Sequence, residues 1–273
     1  MAKVLRLTCL ALAIAAVPSL AHAQLSVYKT SNPATGERYN VELALGLWNP
    51  APTLTIASTS LAAIGTQIDA VNDLGFGTTK FPDFQLIVRP AKKHKFRFEY
   101  IPIKYTAASV LTRSITFHGV SYSVGVPVTS SLDWKAYRFG YEYDLLYRDN
   151  GFVGVIGEVK YTDVHASVAS SILNASATTH QREPVPAIGA IARGYLTQNA
   201  SVTAELTAFK LPGSVSATTK GRYVDFDIYG TANFSQNFGA QVGYRSLDAM
   251  YAVTNDSGSL TLRGAYFRGV VRF

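Results

Sequence analysis

The side chains that could carry out hydrolysis lie in one short stretch of the chain. His165 and Ser167 are separated by one residue, so in an extended strand both project from the same face. A histidine beside a serine is the base and nucleophile pair of many hydrolases, and Glu183 is a candidate carboxylate to orient the histidine. Serine is frequent throughout this stretch, however, which favours an ordinary polar strand. We therefore expect no catalytic site here.

Metal and cofactor chemistry is weakly supported. The histidines after residue 24 are scattered, and only Asp163 with His165 brings a carboxylate and an imidazole to ligand-like spacing. Asp69 and Asp73 lie in a segment, residues 68–77, that alternates acidic and apolar residues. Weak Ca²⁺ binding by these two carboxylates is one interpretation, and a loop folded over a mouth is the favoured one. We expect no resident metal and no cofactor.

Composition excludes several protein classes. Of the 273 residues, 48% are hydrophobic and 16% are charged, against roughly 25% charged in soluble globular proteins. Such a hydrophobic content excludes a disordered chain. One cysteine excludes a disulfide scaffold. A helical membrane protein is not predicted either, because no apolar run near 18 residues follows the first 25 positions.

The first residues have the order of a secretory signal peptide. Lys3 and Arg6 precede an apolar stretch, and Ala21 and Ala23 supply small residues at the two positions that a signal peptidase recognises. This pattern predicts a signal peptide over residues 1–23, followed by a short periplasmic segment over residues 24–38. The single cysteine, Cys9, would leave with the signal.

The rest of the chain alternates apolar and polar residues, which is the period of a strand with one apolar face. About ten such stretches are present, at residues 39–48, 84–89, 95–100, 136–145, 153–161, 188–196, 202–208, 224–234, 238–245 and 265–273.

The connections between these stretches alternate in length. Short turns are predicted at residues 90–94, 148–151, 198–200 and 235–237, and long connections at 51–81, 119–131, 170–184, 211–221 and 254–259. This pattern predicts an all-β fold, a transmembrane antiparallel up-and-down β-barrel of about ten strands over residues 39–273, with 8 or 12 strands as alternatives. A soluble β-sandwich is the other architecture that alternating strands allow.

Aromatic residues gather near the predicted strand ends, as in the interfacial girdles of membrane barrels. Those assigned to the short-turn side are Phe81, Phe84, Phe96, Tyr143, Tyr147, Phe152, Phe234, Phe238, Phe267 and Phe273. Those assigned to the opposite side are Trp48, Tyr105, Trp134, Tyr161 and Phe209.

The final strand ends on Phe273 after an alternating run that includes Tyr266, Phe267 and Val271. It resembles the C-terminal assembly signal of bacterial outer-membrane β-barrel proteins. The resemblance implies a location in the outer membrane of a two-membrane bacterium, with outer-membrane lipid and lipopolysaccharide around the barrel. It also implies the barrel-assembly machinery and periplasmic chaperones as partners. A monomer is expected, and no nucleic-acid recognition motif is present.

Charged residues of both signs share the polar parity of the strands. The basic ones are Arg89, Lys95, Arg97, Arg138, Lys160, Arg193, Arg245, Arg268 and Arg272, and the acidic ones are Glu42, Glu99, Glu142, Asp144, Glu158, Glu205, Asp225 and Asp227. A barrel of about ten strands is narrow, and opposite charges enclosed in it should pair. The balance predicts a lumen largely closed by an ion-pair network, whereas a selective pore would show an excess of one sign.

Three functions remain open at this point. The leading hypothesis is a non-enzymatic barrel with a closed lumen that serves envelope structure or surface interaction, and the alternative is a small porin-like channel for polar solutes. The third is a hydrolase. His165 and Ser167 faintly resemble the arrangement of lipid A 3-O-deacylases, although the neighbouring motif residues are absent. Asp163 and His165 resemble one half of the omptin protease site, but no partner pair is found.

Overall fold

A computed structural model describes residues 34–58, 66–212, 219–252 and 256–273. The predicted signal peptide, with Ala21 and Ala23, lies outside the described residues. No helix among the described residues is long and apolar enough to cross a membrane.

The described chain folds into β-strands. Thirteen are present: β1 (Val41–Ser58), β2 (Ile68–Asp69), β3 (Phe81–Ala91), β4 (His94–Val110), β5 (Ile115–Phe117), β6 (Val120–Tyr122), β7 (Pro127–Arg148), β8 (Gly151–Ser170), β9 (Ala175–Tyr195), β10 (Ala200–Lys210), β11 (Lys220–Asn233), β12 (Phe238–Ala252) and β13 (Asp256–Arg272).

Ten of these strands form one closed antiparallel barrel. Each pairs with its sequence neighbour in the order β1, β3, β4, β7, β8, β9, β10, β11, β12, β13, and β13 returns to pair with β1. The closing register runs from Glu42 opposite Arg272 to Ser58 opposite Asp256. The prediction of a ten-stranded up-and-down barrel is confirmed, and the alternatives of 8 or 12 strands are wrong. The three short strands β2, β5 and β6 lie in the connections at one end.

The predicted short turns are present at the end where the barrel also begins and finishes. β3 and β4 are joined by two residues, as are β7 and β8. The backbone N–H groups of Asn40 and Val41 both donate to the carbonyl of Phe273, at 2.7 and 3.1 Å. We call this the inner end and the opposite one the outer end.

One predicted long loop is wrong. Residues 170–184 were expected to form an outer loop, but β8 and β9 pair continuously up to Ser170 opposite Ala175, and only four residues turn between them. The serine and threonine residues of this stretch belong to the two strands of a hairpin, which extends the barrel wall outward. β1 likewise continues to Ser58, beyond the predicted limit at Trp48.

The apolar face of the strands points outward. Leu45 is 64% exposed and Val242 is 61% exposed, while the alternate residues are buried. A sandwich would bury its apolar faces against each other, so this alternative is excluded. A polar ring on the outward face, which includes Lys104, Lys135 and Arg263, marks the outer limit of the apolar band.

The predicted outer aromatic girdle is largely wrong. Trp48, Tyr105 and Trp134 are almost fully buried on the inward face, and Phe209 packs against the same cluster. Of the residues predicted for this girdle, Tyr161 does face outward, and its ring contacts that of Tyr137, which in turn stacks on Tyr100. Two residues assigned to the inner girdle, Phe81 and Phe152, are also buried inside.

The interior changes character along the barrel axis. Charged side chains fill the inner half, and an apolar and aromatic cluster fills the outer half. Strands alone do not form this outer cluster. The segment from Ile68 to Phe76 and the β5–β6 hairpin fold into the mouth and bury Leu74, Phe117 and Tyr122 there.

Candidate functional site

The inner half of the lumen contains many buried charged side chains that are paired with one another. Among the described residues they comprise nine basic side chains, Arg89, Lys95, Arg97, Arg138, Lys160, Arg193, Arg245, Arg268 and Arg272, and ten acidic ones, Glu37, Glu42, Asp83, Glu99, Glu142, Asp144, Glu158, Glu205, Asp225 and Asp227. The structure therefore brings together in this half all the charged residues that the sequence placed on the polar parity. Their near-equal numbers leave little net charge to line a path for ions.

Arg138 is the centre of this network. Its guanidinium lies 3.2 Å from Glu158, 3.5 Å from Glu99 and 2.8 Å from Glu205, and it also pairs with Asp225. These partners come from β4, β8, β10 and β11, so one side chain on β7 ties opposite walls of the barrel together. The planar guanidinium, with its five donors, suits such a multiple contact better than an ammonium group would.

Two further arginines extend the network across the lumen. Arg245 lies 3.0 Å from Glu99 and 2.7 Å from Asp225, and Arg268 lies 3.1 Å from Glu99 and 2.6 Å from Asp83. Glu99 is thus shared by arginines from three strands. Buried carboxylates shared in this way satisfy the requirement that an enclosed charge be paired.

The segment before β1 closes the inner mouth. Glu37 lies 2.8 Å from Arg193, and its backbone carbonyl accepts a hydrogen bond of 2.6 Å from Arg89. Thr35 is held at the same end, because its N–H donates to the carbonyl of Gln198 and its carbonyl accepts from Asn233. Residues 34–40 therefore cover the barrel from below, where the sequence predicted only a short periplasmic segment.

Little empty space remains inside the network. The cavity between Glu99, Arg138 and Lys160 has a volume of about 10 Å³. A buried water needs roughly 10–15 Å³, so this space holds one water molecule at most. The part of the lumen around Arg138 is therefore filled by its own side chains.

Two acidic members of the network were missed from the sequence. Asp83 lies on the inward parity of β3, one residue before the predicted start of that strand, and extending the alternation would have found it. Glu37 lies before the first strand, where no strand period applies. Only the folding of the N-terminal segment into the mouth reveals its role.

The outer half contains a large apolar cavity of about 390 Å³. Its walls are formed by side chains of β1, β7, β8 and β9 and by the outer ends of β10 to β13, including Leu54, Trp134, Val164, Val185 and Phe209. This volume is within the roughly 300–1,000 Å³ of small-molecule pockets. The sequence analysis predicted a polar lumen throughout, and that prediction is wrong for the outer half.

The hydrolase candidates do not assemble into a site. His165 and Ser167 lie on the outward face of β8, where the Ser167 hydroxyl pairs with that of Ser131 at 2.8 Å. Glu183 lies on the opposite face of the wall, where it lines the apolar cavity. The predicted role of Glu183 in orienting His165 is therefore wrong.

The outward face does bring together two histidines and an aspartate. His180 lies 2.7 Å from Asp163, and the rings of His165 and His180 stack with centroids 3.5 Å apart. Candidate ligand atoms of the three residues lie within 4.8 Å of one another, so they could hold a metal ion. Arg182, however, pairs with Asp163 at 3.2 Å and competes for its charge. The sequence missed His180, which reaches the pair only through the β8–β9 hairpin.

The acidic outer loop is fastened by an ion pair. Asp73 accepts hydrogen bonds from Arg113 at 2.9 and 2.5 Å, and Arg113 also donates to the carbonyl of Gln67. The hydrogen bond from Arg113 lowers the pKa of the Asp73 carboxyl below its ordinary value. Asp69 accepts from the backbone N–H groups of Val71 and Asn72. Both carboxylates are thus engaged in holding the loop over the mouth.

The last strand divides its residues between the two faces. Phe267, Val271 and Phe273 face outward, as an assembly signal with an apolar outer face requires. Tyr266 faces inward instead, and its hydroxyl donates to Asp227 at 2.8 Å.

The closed antiparallel barrel has the fold of bacterial outer-membrane β-barrel proteins, and solved structures of such proteins are similar to it. The outer membrane protease OmpT of Escherichia coli superimposes with a TM-score of 0.56 at 6% sequence identity, covering 89% of this chain and 99% of that protein. The attachment invasion locus protein Ail of Yersinia pestis gives a TM-score of 0.37 at 8% identity, covering 84% of this chain and 97% of that one. The toluene transporter TodX of Pseudomonas putida gives a TM-score of 0.39 at 9% sequence identity, covering 89% of this chain and 93% of that protein.

These similarities concern the fold alone. No family model and no curated protein matches the sequence. The protease activity belongs to OmpT, and here Asp163 and His165 lie on the outward face of β8.

Proposed function

We propose that this protein is a bacterial outer-membrane barrel that works without catalysis and without conducting ions, and that it serves envelope structure or surface interaction. The observation that carries the proposal is the charge network centred on Arg138. It spans the lumen, it is balanced in sign, and it leaves a cavity of about 10 Å³. An ion crossing it would have to displace paired charges in a place that water scarcely enters.

The non-catalytic part of the proposal rests on the separation of the candidate residues. His165 and Ser167 face away from the interior, and Glu183 faces into it. Glu183 therefore cannot orient His165, and the hydroxyl of Ser167 is hydrogen-bonded to that of Ser131. Hydrolysis of lipid or peptide that is lost in the His165→Ala, Ser167→Ala double variant would contradict this part.

The location and the partners follow from the same proposal. An apolar outward band surrounds all ten strands, and the side chains of Phe267, Val271 and Phe273 belong to it. We propose that outer-membrane lipid and lipopolysaccharide contact this band, that periplasmic chaperones and the barrel-assembly machinery deliver the chain, and that it acts as a monomer.

The decisive experiment is planar-bilayer conductance. The protein is expressed from its full sequence, purified from the outer membrane and inserted into a bilayer, with folding verified by heat-modifiable migration on a gel. We expect no current steps, because the network fills the inner half. Stable, reproducible steps would overturn the closed lumen and support the porin-like alternative.

A matched variant shows that the assay detects an open lumen. Replacing both Arg138 and Glu205 with alanine removes two facing side chains from the middle of the network. We expect this double variant to give small current steps if it folds. The same double substitution at Lys135 and Asp163, which face outward, should leave the membrane silent.

A further inference from the structure

The outward face of the β8–β9 hairpin holds three metal-ligating side chains in one place. Asp163 and His165 are two residues apart on β8, so they project from the same face. His180 on β9 is the direct cross-strand partner of His165, and such partners have Cβ atoms about 4.5–5.5 Å apart. The three residues belong to paired strands that the structure describes without interruption from 151 to 195. Strand pairing, and not a loop, therefore sets the geometry of this cluster.

The donor atoms of the cluster converge on one carboxylate oxygen. Oδ1 of Asp163 lies 2.7 Å from Nε2 of His180 and 3.9 Å from Nε2 of His165. Bonds of about 2.0–2.1 Å to a tetrahedral zinc ion place two ligand atoms about 3.3 Å apart. The two separations lie on either side of this value. Movements of about 1 Å at the ends of the side chains would thus give a ligand arrangement that fits the ion.

The two histidine rings are free to make this movement. They stack with an angle of 20° between their planes, so binding of one ion by both Nε2 atoms requires the rings to turn apart. The side chain of His165 is 49% exposed and that of His180 is 33% exposed. The terminal torsion of a histidine has a broad minimum, and rotation of a partly exposed ring meets little resistance.

Arg182 uses the other oxygen of the same carboxylate. Its Nε donates to Oδ2 of Asp163 at 3.2 Å, which leaves Oδ1 facing the histidines. Such a contact orients a ligating carboxylate, as the outer partners of metal ligands commonly do. The charge of Arg182 opposes a cation. Asp133 on β7, the cross-strand partner of His165, brings a second negative charge to the same face and offsets it.

The cluster lies at the outer limit of the apolar band. Lys135, which belongs to the polar ring that marks this limit, is the cross-strand partner of Asp163. His165 and His180 lie farther outward along their strands. Their donor atoms therefore face the aqueous medium beyond the band and not its lipid.

We propose that Asp163, His165 and His180 form a binding site for a divalent transition-metal ion of the Zn²⁺ class, with its remaining coordination position open to water. Two imidazole nitrogens and one carboxylate oxygen suit Zn²⁺, Ni²⁺ or Cu²⁺, whereas Ca²⁺ and Mg²⁺ prefer oxygen ligands alone. Because the ligands come from two strands, the bound ion joins β8 to β9 and stabilises the hairpin. The site is independent of the closed lumen, because it lies on the outward face.

Zinc titration calorimetry tests the site. The protein is expressed from its full sequence without a histidine tag, purified in detergent, treated with EDTA and freed of it. The triple variant Asp163→Ala, His165→Ala, His180→Ala measures zinc bound by lipopolysaccharide and by other groups. We expect the unaltered protein to bind one ion per chain more than this variant at zinc up to about 0.1 mM. His180→Ala should weaken this binding at least about tenfold. His94→Ala, on the outward face at the inner end, should leave it unchanged.

Two further measurements identify the ligands and the effect of the ion. Electron paramagnetic resonance of bound Cu²⁺ should show two imidazoles in the unaltered protein and in His94→Ala, and one in His165→Ala. Zinc at about ten times its Kd should slow hydrogen exchange of residues 166–179 about tenfold, and the triple variant should show no change. Equal zinc binding by the triple variant overturns the site, as do two copper-bound imidazoles in His165→Ala. Zinc binding without slower exchange overturns the joining of the two strands.

Discussion

The two halves of the barrel interior are built from the same strands but are filled differently. On β4, inward residues change from Lys95, Arg97 and Glu99 to Ile101 and Ile103 within one strand. Apart from Glu37, the paired charges of the inner half are side chains of the wall itself. The outer half is too apolar to be closed in that way.

The outer half is filled from above. The segment from Ile68 to Phe76 and the hairpin of β5 and β6 supply the side chains that the wall does not provide. Because these loops cover only part of the mouth, a cavity of about 390 Å³ remains beneath them. In the inner half the charge network joins opposite walls of the barrel. In the outer half the apolar side chains of the loops leave an empty cavity. This difference predicts that substitutions in the inner half change the stability of the whole barrel, whereas substitutions in the outer half change stability only locally.

The largest effect is expected from Arg138→Met in the inner half. This change leaves Glu158, Glu205 and Asp225 with one counter-charge fewer, and breaking a buried ion pair costs about 3–5 kcal/mol. The free energy of unfolding, measured by urea titration in lipid vesicles, should fall by that amount.

The matched control is Arg182→Met on the outward face. Its side chain is exposed and should change the free energy of unfolding by less than about 0.5 kcal/mol. Equal effects of the two variants would mean that the inner network does not couple the walls.

A large but local effect is expected from Phe117→Ala in the outer half. Phe117 is 1% exposed, and removing such a ring costs about 3–5 kcal/mol of local packing, or more than about 100-fold in the local opening equilibrium. Trypsin should therefore cleave after Arg113 much faster, while the urea midpoint of the barrel stays nearly unchanged. Val124→Ala, at an exposed position in the same connection, should leave the cleavage rate as it is. A global loss of stability in Phe117→Ala would contradict the distinction between the halves.

The smallest effect concerns pH and the ion pair between Asp73 and Arg113. Since Arg113 lowers the pKa of the folded Asp73 carboxyl, the pair stabilises the loop fully above the ordinary aspartate pKa of about 3.9, and this contribution is lost as pH falls through the lowered pKa. The pair is partly exposed, so protection of the loop should change by no more than about fivefold. Hydrogen exchange of residues 68–77, corrected for the intrinsic rate, measures it.

Asp73→Asn is the informative variant for this pair. It should show reduced protection at pH 7 and little further change on acidification, whereas Asp149→Asn in an inner turn should behave as the unaltered protein does. Unchanged protection in Asp73→Asn would show that apolar packing alone holds the loop.

Much of the barrel was predictable because its strands obey a local rule. A period of two residues assigns each side chain to a face, and so the ten strands, their short turns and the inward parity of residues such as Arg138 and Glu205 follow from alternation. The charges of the candidate network were found in the same way. Where inward residues such as Ile101 and Ile103 are as apolar as the outward residues between them, alternation no longer shows which face is which. That is why Trp48 and Trp134 were assigned to a girdle although they lie inside.

The sequence by itself predicted about ten strands, the apolar face of each strand and inward charges of both signs, because these depend on residues a few positions apart. Only the tertiary structure decided which charges meet at Arg138, since its partners come from four other strands. It alone brought Glu37 into the inner mouth, His180 beside Asp163, and the outer loops into the apolar half. The tertiary structure also decided that pairing between β9 and β10 stops at Ile188 and Ala208, because the last pair depends on the lengths of both strands.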